Sequence, residues 1–336
     1  MNKVRIGING FGRIGRNALK IAFEHADVCE VIAVNDLTST KTLAHLLKYD
    51  TAYGHYNKEI SFDDSSITVD GHRILVFAEK DPAALKWGEN NVDVVIESTG
   101  RFLDQDTAGA HLKGGAKRVV ISAPSKGNNP APTFVLGVNN YDGSAEIINN
   151  ASCTTNCIAP VMAILEENFG IEKALMSTVH SYTASQMIQD GPAKDIREAR
   201  AAAQNIVPTS TGAAIATTEA MPSLKGKFDG LSFRVPSIVV SISDITAVLK
   251  RKVTVEEINE VFKQAAASPR FAGILAVNDE ELVSSDYKGD SHSATIDLPL
   301  TRVIDGDFVK VVAWYDNEWG YSNRLVEQVI AVGQTF

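Results

Sequence analysis

Short apolar runs and helix-like repeats alternate through the first 150 residues. Val4–Ile8 and Val28–Val34 have the composition of buried strands, and each precedes a stretch with apolar residues three and four positions apart, Ile14–Phe23 and Lys41–Leu47. The other candidate elements are Val92–Ile96, a helix around Ala108–Leu112, Arg118–Ser122, Phe134–Leu136, Ile147–Ile148 and a hairpin at Asp70-Gly71. This alternation predicts an α/β fold with a doubly wound, mainly parallel sheet.

The pattern changes after about residue 150, where long β-type runs follow a predicted helix from Cys153 towards Phe169. Thr254-x-x-Glu257 is a capping box that starts a helix over Val255–Ala267. The predicted strands are Leu175–Val179, Leu231–Val235, Val239–Leu249 and a pair joined by a turn at Asp305-Gly306, Arg302–Ile304 and Phe308–Tyr315. We therefore expect an α+β second domain with a mainly antiparallel sheet.

These patterns predict a first domain over residues 1–152 and a second over residues 153–316. The last segment, 317–336, is helical in pattern and is expected to pack back on the first domain. The stretch Tyr182–Pro208 has weak periodicity, with a helical turn or two at Asp195–Ala203 at most. Because long irregular segments in compact domains tend to be functional, we interpret it as an ordered loop at a site or a subunit interface.

Composition narrows the classes of protein. Of 336 residues, 44% are hydrophobic, which provides ample material for a core and argues against global disorder. No apolar run approaches the ~18 residues of a membrane span, and the N-terminus lacks a signal-peptide pattern, so a cytoplasmic location is expected. A net charge of −9 argues against nucleic acid as the primary partner, and three cysteines, an odd number, favour a reducing compartment.

The segment from Gly10 to Gly15 reads G-x-G-x-x-G, with Gly12 as the second glycine, between a predicted strand and a predicted helix. That context is typical of a Rossmann-type turn that holds a pyrophosphate on a helix N-terminus. Asp36 ends the next strand, about 20 positions further on, where a carboxylate accepts from an adenine-ribose hydroxyl and repels a 2′-phosphate. The pattern favours NAD over NADP. A glycine-rich turn that binds nothing, with Asp36 as a helix cap, is the alternative.

Cys153 lies at the expected N-terminus of a helix, where the helix dipole favours the thiolate. Cys153 and Cys157 have three alternative roles. They could be metal ligands, although the sequence lacks further ligands nearby, or small buried apolar residues. They could also form a disulfide, which their i,i+4 spacing on a helix disfavours. Pro160 either kinks a helix begun at Cys153 or marks the first turn of one begun later, which would weaken the dipole argument.

A thiolate nucleophile needs a proton acceptor, and His180, at the end of a predicted strand, is the candidate. A buried structural histidine is the competing reading. Arg200 and Arg234 are candidate phosphate ligands, and Arg234 is the more informative because it interrupts an apolar run. An ordinary salt bridge is the alternative for Arg200. Thr209–Gly212 offers hydroxyls and a free amide, as in an anion-binding nest.

Three motifs together, Asn9–Arg16, Ala151–Cys157 and Trp314–Tyr321, strongly resemble the glyceraldehyde-3-phosphate dehydrogenase family, and the resemblance extends over nearly the whole chain. It implies NAD-dependent, phosphorylating oxidation of glyceraldehyde 3-phosphate to 1,3-bisphosphoglycerate. Cys153 would form a thiohemiacetal and then a thioester, and His180 would move the proton. The family also implies a homotetramer, in which the Tyr182–Pro208 loop lines a neighbouring subunit's cofactor pocket. No metal site is expected, because two cysteines four positions apart without further ligands are a poor zinc pattern.

The resemblance assigns further roles residue by residue. It implies cofactor contacts at Gly10, Gly12, Arg13, Ile14, Asp36, Lys80, Ser122 and Asn317. It implies a substrate-phosphate site at Thr183, Arg200 and Arg234, and an attacking-phosphate site at Ser152, Thr154, Thr211 and Gly212.

The chain departs from the family pattern at Ser185, Ile215 and Val239. The alternatives are a related aldehyde dehydrogenase, such as erythrose-4-phosphate dehydrogenase, and a non-enzymatic redox-sensing or binding role.

Overall fold

The computed structural model of the chain describes residues 3–336 and separates into two compact units. The first unit comprises residues up to Phe134 together with Tyr141–Ala151 and Ser322–Phe336. The second comprises Val135–Asn140 and Ser152–Tyr321. The chain passes between units one residue before the expected position, and the sequence did not indicate that a short segment before residue 141 belongs to the second unit.

The first unit is built on a mixed sheet. Its elements are β1 (Val4–Asn9), α1 (Arg13–Glu24), β2 (Cys29–Asn35), α2 (Thr40–Lys48), β3 (Tyr49–Asp50), β4 (Gly54–His55), β5 (Ile60–Phe62), β6 (Ser66–Val69), β7 (His72–Phe77), β8 (Val94–Glu97), α3 (Gln105–Ala108), α4 (Ala110–Lys113), β9 (Arg118–Ile121) and β10 (Ile147–Asn149). The strand order is β10-β9-β8-β1-β2-β7-β6-β5, parallel as far as β7 and antiparallel beyond it. The α/β prediction is confirmed.

The apolar residues that predicted the strands form the core of this sheet. Ile6 and Ile8 on β1, and Val34 on β2, are fully buried. On α1, Ala18, Ile21 and Ala22 are buried, but so are all the other residues from Gly15 to Ala22, so burial is not confined to the one face that the spacing predicted. Burial of these two strands places the polar residues that follow them at one edge of the sheet.

The predicted strand Phe134–Leu136 is wrong. The chain makes a single bridge there, between Thr133 and Asn149, and then turns. The backbone N–H of Val135 donates to the side-chain oxygen of Asn139 at 2.8 Å, so it is not available to a ladder.

The second unit is built on a second sheet. Its elements are α5 (Cys153–Phe169), β11 (Ile171–Ser181), β12 (Val207–Ser210), α6 (Ala213–Ala220), β13 (Phe228–Val235), β14 (Ser241–Leu249), α7 (Val255–Ala266), β15 (Leu275–Asn278), β16 (Ala294–Asp297), β17 (Arg302–Ile304), β18 (Phe308–Tyr315) and the start of α8 (Trp319–Gly333). The order is β12-β13-β11-β14-β18-β16-β15, with β17 against β18. Only β11–β13 and β15–β16 are parallel pairs, so the sheet is mainly antiparallel, as predicted.

Helix α5 is the buried axis of the second unit's core. Ile158, Val161, Met162 and Leu165 have no more than 1% of their surface exposed. Pro160 lies inside the helix, and the helix begins at Cys153, so the alternative of a helix that starts near Pro160 is wrong. Proline has no N–H to donate in mid-helix, and the free energy gained by this extensive apolar burial offsets the missing hydrogen bond.

The Tyr182–Pro208 stretch forms turns and bends until β12 begins at Val207. The helical turn considered at Asp195–Ala203 does not become a helix. Within residues 3–336, every helix is too short or too polar to cross a lipid bilayer.

Candidate active site

A cleft of about 520 Å³ lies at the carboxyl ends of β1 and β2 in the first unit. Its lining includes four of the residues predicted to bind the cofactor, Gly10, Gly12, Asp36 and Lys80. The Gly10 backbone has φ +91°, and a Cβ there would lie 2.8 Å from the backbone of Ser98. Gly12, by contrast, faces open space at the N-terminus of α1. A backbone bare of side chains at a helix N-terminus fits a pyrophosphate, so the residues present suit a dinucleotide.

Asp36 is held in place by two backbone amides at the edge of this cleft. One carboxylate oxygen accepts from the N–H of Phe11 at 3.0 Å and the other from the N–H of Thr38 at 3.0 Å. The carboxylate retains lone pairs for a further donor such as a ribose hydroxyl. Lys80, across the same cleft, is exposed.

The other predicted cofactor residues lie outside the lining of this cleft. The Arg13 guanidinium pairs with Asp50 at 2.6 Å. Ile14 is in the first turn of α1, and the backbone N–H of Ser122, just after β9, donates to the carbonyl of Glu97. Asn317 belongs to the second unit.

The structure brings Cys153 and His180 together in the second unit. Cys153 is the first residue of α5, and the hydroxyl of its N-cap, Ser152, accepts from the N–H of Thr155 at 3.1 Å. His180 is the penultimate residue of β11. The Cys153 Sγ and His180 Nε2 atoms are 3.4 Å apart, within reach for proton transfer.

Two partners of His180 Nδ1 bear on its tautomer. Nδ1 lies 2.7 Å from the carbonyl oxygen of Ser181, which only accepts, and also against Arg234 Nη1, which only donates. When Nδ1 donates to Ser181, Nε2 offers its lone pair to the sulfur. Burial, and then the nearby Arg234 guanidinium, lower the pKa of His180 to about 3. The imidazole is therefore neutral at physiological pH, so one of its ring nitrogens has a free lone pair.

The Cys153 thiol is subject to opposing influences. Burial raises its pKa, while the Arg234 charge and hydrogen bonds from Thr154 lower it. Burial thus opposes the lowered pKa that the helix N-terminus alone predicts. The Arg234 charge is the main influence that favours an ionised sulfur here, since burial raises the pKa of the thiol and lowers that of His180.

The three cysteines differ in burial. Cys29, Cys153 and Cys157 are all free thiols, and Cys157 is fully buried. Among residues 3–336, no cluster of three His, Cys, Asp or Glu side chains is arranged to hold a metal ion. Cys157 is therefore a small core residue, and Cys153 is the partly accessible one.

Tyr315 is part of this cluster, and we did not single it out from the sequence. Its hydroxyl lies 3.0 Å from Thr154 Oγ1 and 2.8 Å from Thr178 Oγ1, and its ring packs edge-on to His180 with centroids 6.0 Å apart. The only indication of it in the sequence is its place in the Trp314–Tyr321 motif. Tyr315 anchors the first turn of α5 to the sheet beside His180.

The predicted phosphate ligands divide into two groups. Arg234, on β13 directly opposite His180, lies against the imidazole, and Ser152 and Thr154 flank Cys153. Arg200 instead pairs with Asp190 at 2.7 Å on the surface, which is the salt-bridge alternative.

The remaining phosphate candidates have local partners. Thr183 Oγ1 lies 3.0 Å from Ser185 Oγ, one of the positions that depart from the family pattern. Thr211 Oγ1 accepts from the N–H of Ala213 at 3.2 Å, and Gly212 is the N-cap of α6 with open space around it. The last two therefore form an anion-competent helix start.

Comparison with known proteins gives one family throughout. Residues 4–105 match the family model described as glyceraldehyde 3-phosphate dehydrogenase, NAD binding domain, and residues 152–317 match its C-terminal domain. The chain is 54% identical over 327 residues to glyceraldehyde-3-phosphate dehydrogenase of Geobacillus stearothermophilus, covering 96% of each. It is 53% identical over 333 residues to the Streptomyces coelicolor protein of the same name, covering 98% of each.

Proposed function

The chain belongs to the glyceraldehyde-3-phosphate dehydrogenase family, and from that premise we propose that Cys153 is its nucleophile and His180 its general base. The reaction is the phosphorylating oxidation of glyceraldehyde 3-phosphate with NAD, as the sequence resemblance implied. The observation that carries the assignment is the 3.4 Å approach of Cys153 Sγ to His180 Nε2 at the start of a buried helix.

The first covalent step joins the Cys153 sulfur to the aldehyde carbon. As the S–C bond forms, the thiol proton passes to His180 Nε2, and from there to the oxygen of the aldehyde, which becomes a thiohemiacetal hydroxyl. A bound NAD would supply the acceptor for the hydride that this carbon then loses. His180 takes the hydroxyl proton in that step, which leaves a thioester on Cys153.

The thioester is then cleaved by inorganic phosphate, which attacks its carbonyl carbon and expels the Cys153 sulfur. Arg234, with Thr183 and Arg200, has the charge to hold the phosphate that the substrate itself carries. Ser152, Thr154, Thr211 and Gly212 offer hydroxyls and a helix N-terminus to the attacking phosphate. Arg200 can serve only when its pairing with Asp190 gives way.

The predicted cofactor residues are proposed to contact different parts of the dinucleotide. Gly10 and Gly12 leave room for the pyrophosphate at the start of α1, followed by Arg13 and Ile14. Asp36 accepts from the adenine ribose and disfavours a 2′-phosphate. Lys80, Ser122 and Asn317 complete the proposed set of contacts.

Replacement of the two central residues tests the assignment. In Cys153→Ser we expect no phosphate-dependent NADH formation from glyceraldehyde 3-phosphate. In His180→Asn we expect a loss of about 10²- to 10⁴-fold in turnover, the range of general acid–base catalysis. Peptide mapping after one equivalent of an alkylating reagent should find the label on Cys153. Full turnover in either variant would contradict the proposal.

A homotetramer in the cytoplasm completes the proposed function. The second sheet exposes apolar side chains, with Leu175 65% and Phe308 43% exposed, around a recess of about 960 Å³. In the Tyr182–Pro208 loop, Ile188 is 88% exposed. Exposed apolar patches of this kind support subunit contacts, and three free thiols suit a reducing compartment.

A further inference from the structure

Val240 has a backbone conformation that its side chain disfavours. Its φ is +72°, and among the non-glycine residues with positive φ in the described chain it is the one β-branched residue. Such a conformation is costly for a β-branched residue and persists only where its surroundings hold it, most often beside a functional site. Val240 is buried, just before β14 begins at Ser241.

The strained backbone changes how β11 is held at its end. The ladder between β11 and β14 stops at the pair Val179 and Ile242. Beyond it, the Ser181 hydroxyl donates to the Val240 carbonyl at 2.7 Å, and the Ser181 N–H donates to the Ser241 hydroxyl at 3.1 Å. Ser181 and Ser241 have at most 1% of their surface exposed, so water does not compete for these bonds.

Ser181 is thereby fixed at two atoms, and its third polar group faces the catalytic pair. Its carbonyl oxygen accepts from His180 Nδ1 at 2.7 Å. The donor Arg234 Nη1 lies against the same Nδ1 and 3.3 Å from the same carbonyl. Two arrangements therefore compete: Nδ1 donates to Ser181, or Nδ1 accepts from Arg234.

The choice decides whether His180 can act as a base. If Nδ1 accepts from Arg234, the ring proton moves to Nε2 and points at the sulfur, and no lone pair faces the thiol. The charged or titratable groups around the ring are Arg234 on β13, Cys153 on α5 and Tyr315 on β18. None of these supplies an acceptor for Nδ1–H in place of the Ser181 carbonyl.

We propose that Ser181 is a positioning residue for the reaction: the Val240 carbonyl and the Ser241 hydroxyl clamp it so that its own carbonyl holds His180 in the base-competent tautomer. The inference rests on the proposed role of His180. It also explains the strained backbone of Val240, because the Val240 carbonyl is the group that accepts the hydrogen bond from Ser181 Oγ.

The clamp continues to a predicted cofactor residue. Ser241 Oγ, which accepts from Ser181, lies 3.1 Å from Asn317 Oδ1 and donates to it. This bond orients the Asn317 amide with its NH₂ group free to donate elsewhere. Ser241 is therefore placed to affect both the base and the cofactor contact, whereas Ser181 affects the base alone.

The test compares Ser181→Ala with a matched control, Ser232→Ala, a serine of β13 that is equally buried. In Ser181→Ala we expect the single-turnover rate of NADH formation to fall about 10-fold, which is less than the full contribution of general-base catalysis. KM for glyceraldehyde 3-phosphate and KM for NAD should stay within about 2-fold of those of the unmodified protein. Iodoacetamide labelling of Cys153 at pH 7 should slow in parallel. Ser181→Thr, which keeps the hydroxyl, should restore most of both rates, and Ser232→Ala should change neither.

Ser241→Ala should lower the same rate and also raise KM for NAD, which separates it from Ser181→Ala. Circular dichroism and thermal unfolding confirm that each variant is folded. Unchanged single-turnover and labelling rates in folded Ser181→Ala, or an equal loss in Ser232→Ala, would overturn the inference. If Ser181→Thr proves as slow as Ser181→Ala, the hydroxyl is not the active feature and the inference fails. Full activity in His180→Asn would instead overturn the proposed function.

Discussion

Arg234 acts on both members of the proposed catalytic pair. Burial raises the pKa of the Cys153 thiol, and the Arg234 charge opposes that rise; burial lowers the pKa of His180, and the same charge lowers it further, which keeps the imidazole neutral. The same guanidinium is the proposed ligand of a phosphate. One residue therefore couples substrate binding to the protonation state of the nucleophile.

Arg234→Gln tests this coupling in the absence of substrate. Removing the cation raises the pKa of Cys153, so the rate of its alkylation by iodoacetamide should reach half its maximum at higher pH than in the unmodified protein. Loss of charge-assisted hydrogen bonds to phosphate should also lower kcat/KM about 10- to 100-fold. Arg234→Lys, which keeps the charge, is the control. An alkylation profile identical in all three proteins would contradict the role of the charge.

Asp36 makes a second prediction at the scale of one residue. Asp36→Ala removes the ribose acceptor and the repulsion of a 2′-phosphate, so KM for NAD should rise about 10-fold, equivalent to one lost hydrogen bond to a charged group. The ratio of NADP to NAD activity should rise at the same time. Steady-state kinetics with each cofactor measure both, and an unchanged ratio would count against the predicted specificity.

At the scale of elements, the glycines of the first β–α turn have different structural and binding roles. A Cβ on Gly15 would lie 2.2 Å from the carbonyl oxygen of Gly10, so this glycine lets α1 pack against the turn. A Cβ on Gly12 would meet nothing, although the residue lines the nucleotide cleft. The first is needed for folding, and the second keeps room for a ligand.

Gly15→Ala and Gly12→Ala should therefore give opposite results. Gly15→Ala should lower the free energy of unfolding by about 2 kcal/mol or more, as overpacking against backbone does. Gly12→Ala should leave stability within about 1 kcal/mol but weaken NAD binding. Urea unfolding and NAD titration measure the two effects. Equal losses of stability would show that the turn is not divided in this way.

At the scale of the molecule, the exposed face of the second sheet is the feature that a monomer does not explain. Leu175, Ile215 and Phe308 line its recess, and each is more than 40% exposed. Ile215 is also a departure from the family pattern, and it adds apolar surface to this face. Burial of the recess against another subunit is consistent with the proposed tetramer.

Leu175→Glu should weaken that assembly. Sedimentation of the unmodified protein should give a species four times the 36.2 kDa chain, and the variant should shift towards smaller species because a carboxylate is costly to bury. Phe62→Glu, at a similarly exposed apolar residue of β5 in the first unit, is the control. A tetramer that withstands Leu175→Glu would place the subunit contacts elsewhere.

The features predicted from sequence were those that depend on near neighbours in the chain. The glycine turn with Asp36, the helix that begins at Cys153 and the strand periods of β11 and β18 all express local geometry, and the structure contains each of them. Predictions failed where a local bond replaced a ladder, as at Val135, and where a strained residue delayed the start of β14 beyond Val239. The periodicity of apolar residues predicts neither the local hydrogen bond nor the strained backbone.

What the sequence by itself determined was the family, the α/β order of elements and the types of residue available for catalysis, because these follow from motif spacing and from the alternation of apolar positions. Only the tertiary structure decided that His180 meets Cys153 and Arg234, and that Arg200 pairs with Asp190. Both outcomes depend on which chain segments the sheet brings side by side. That choice is made by packing among distant segments, and no short stretch of sequence contains it.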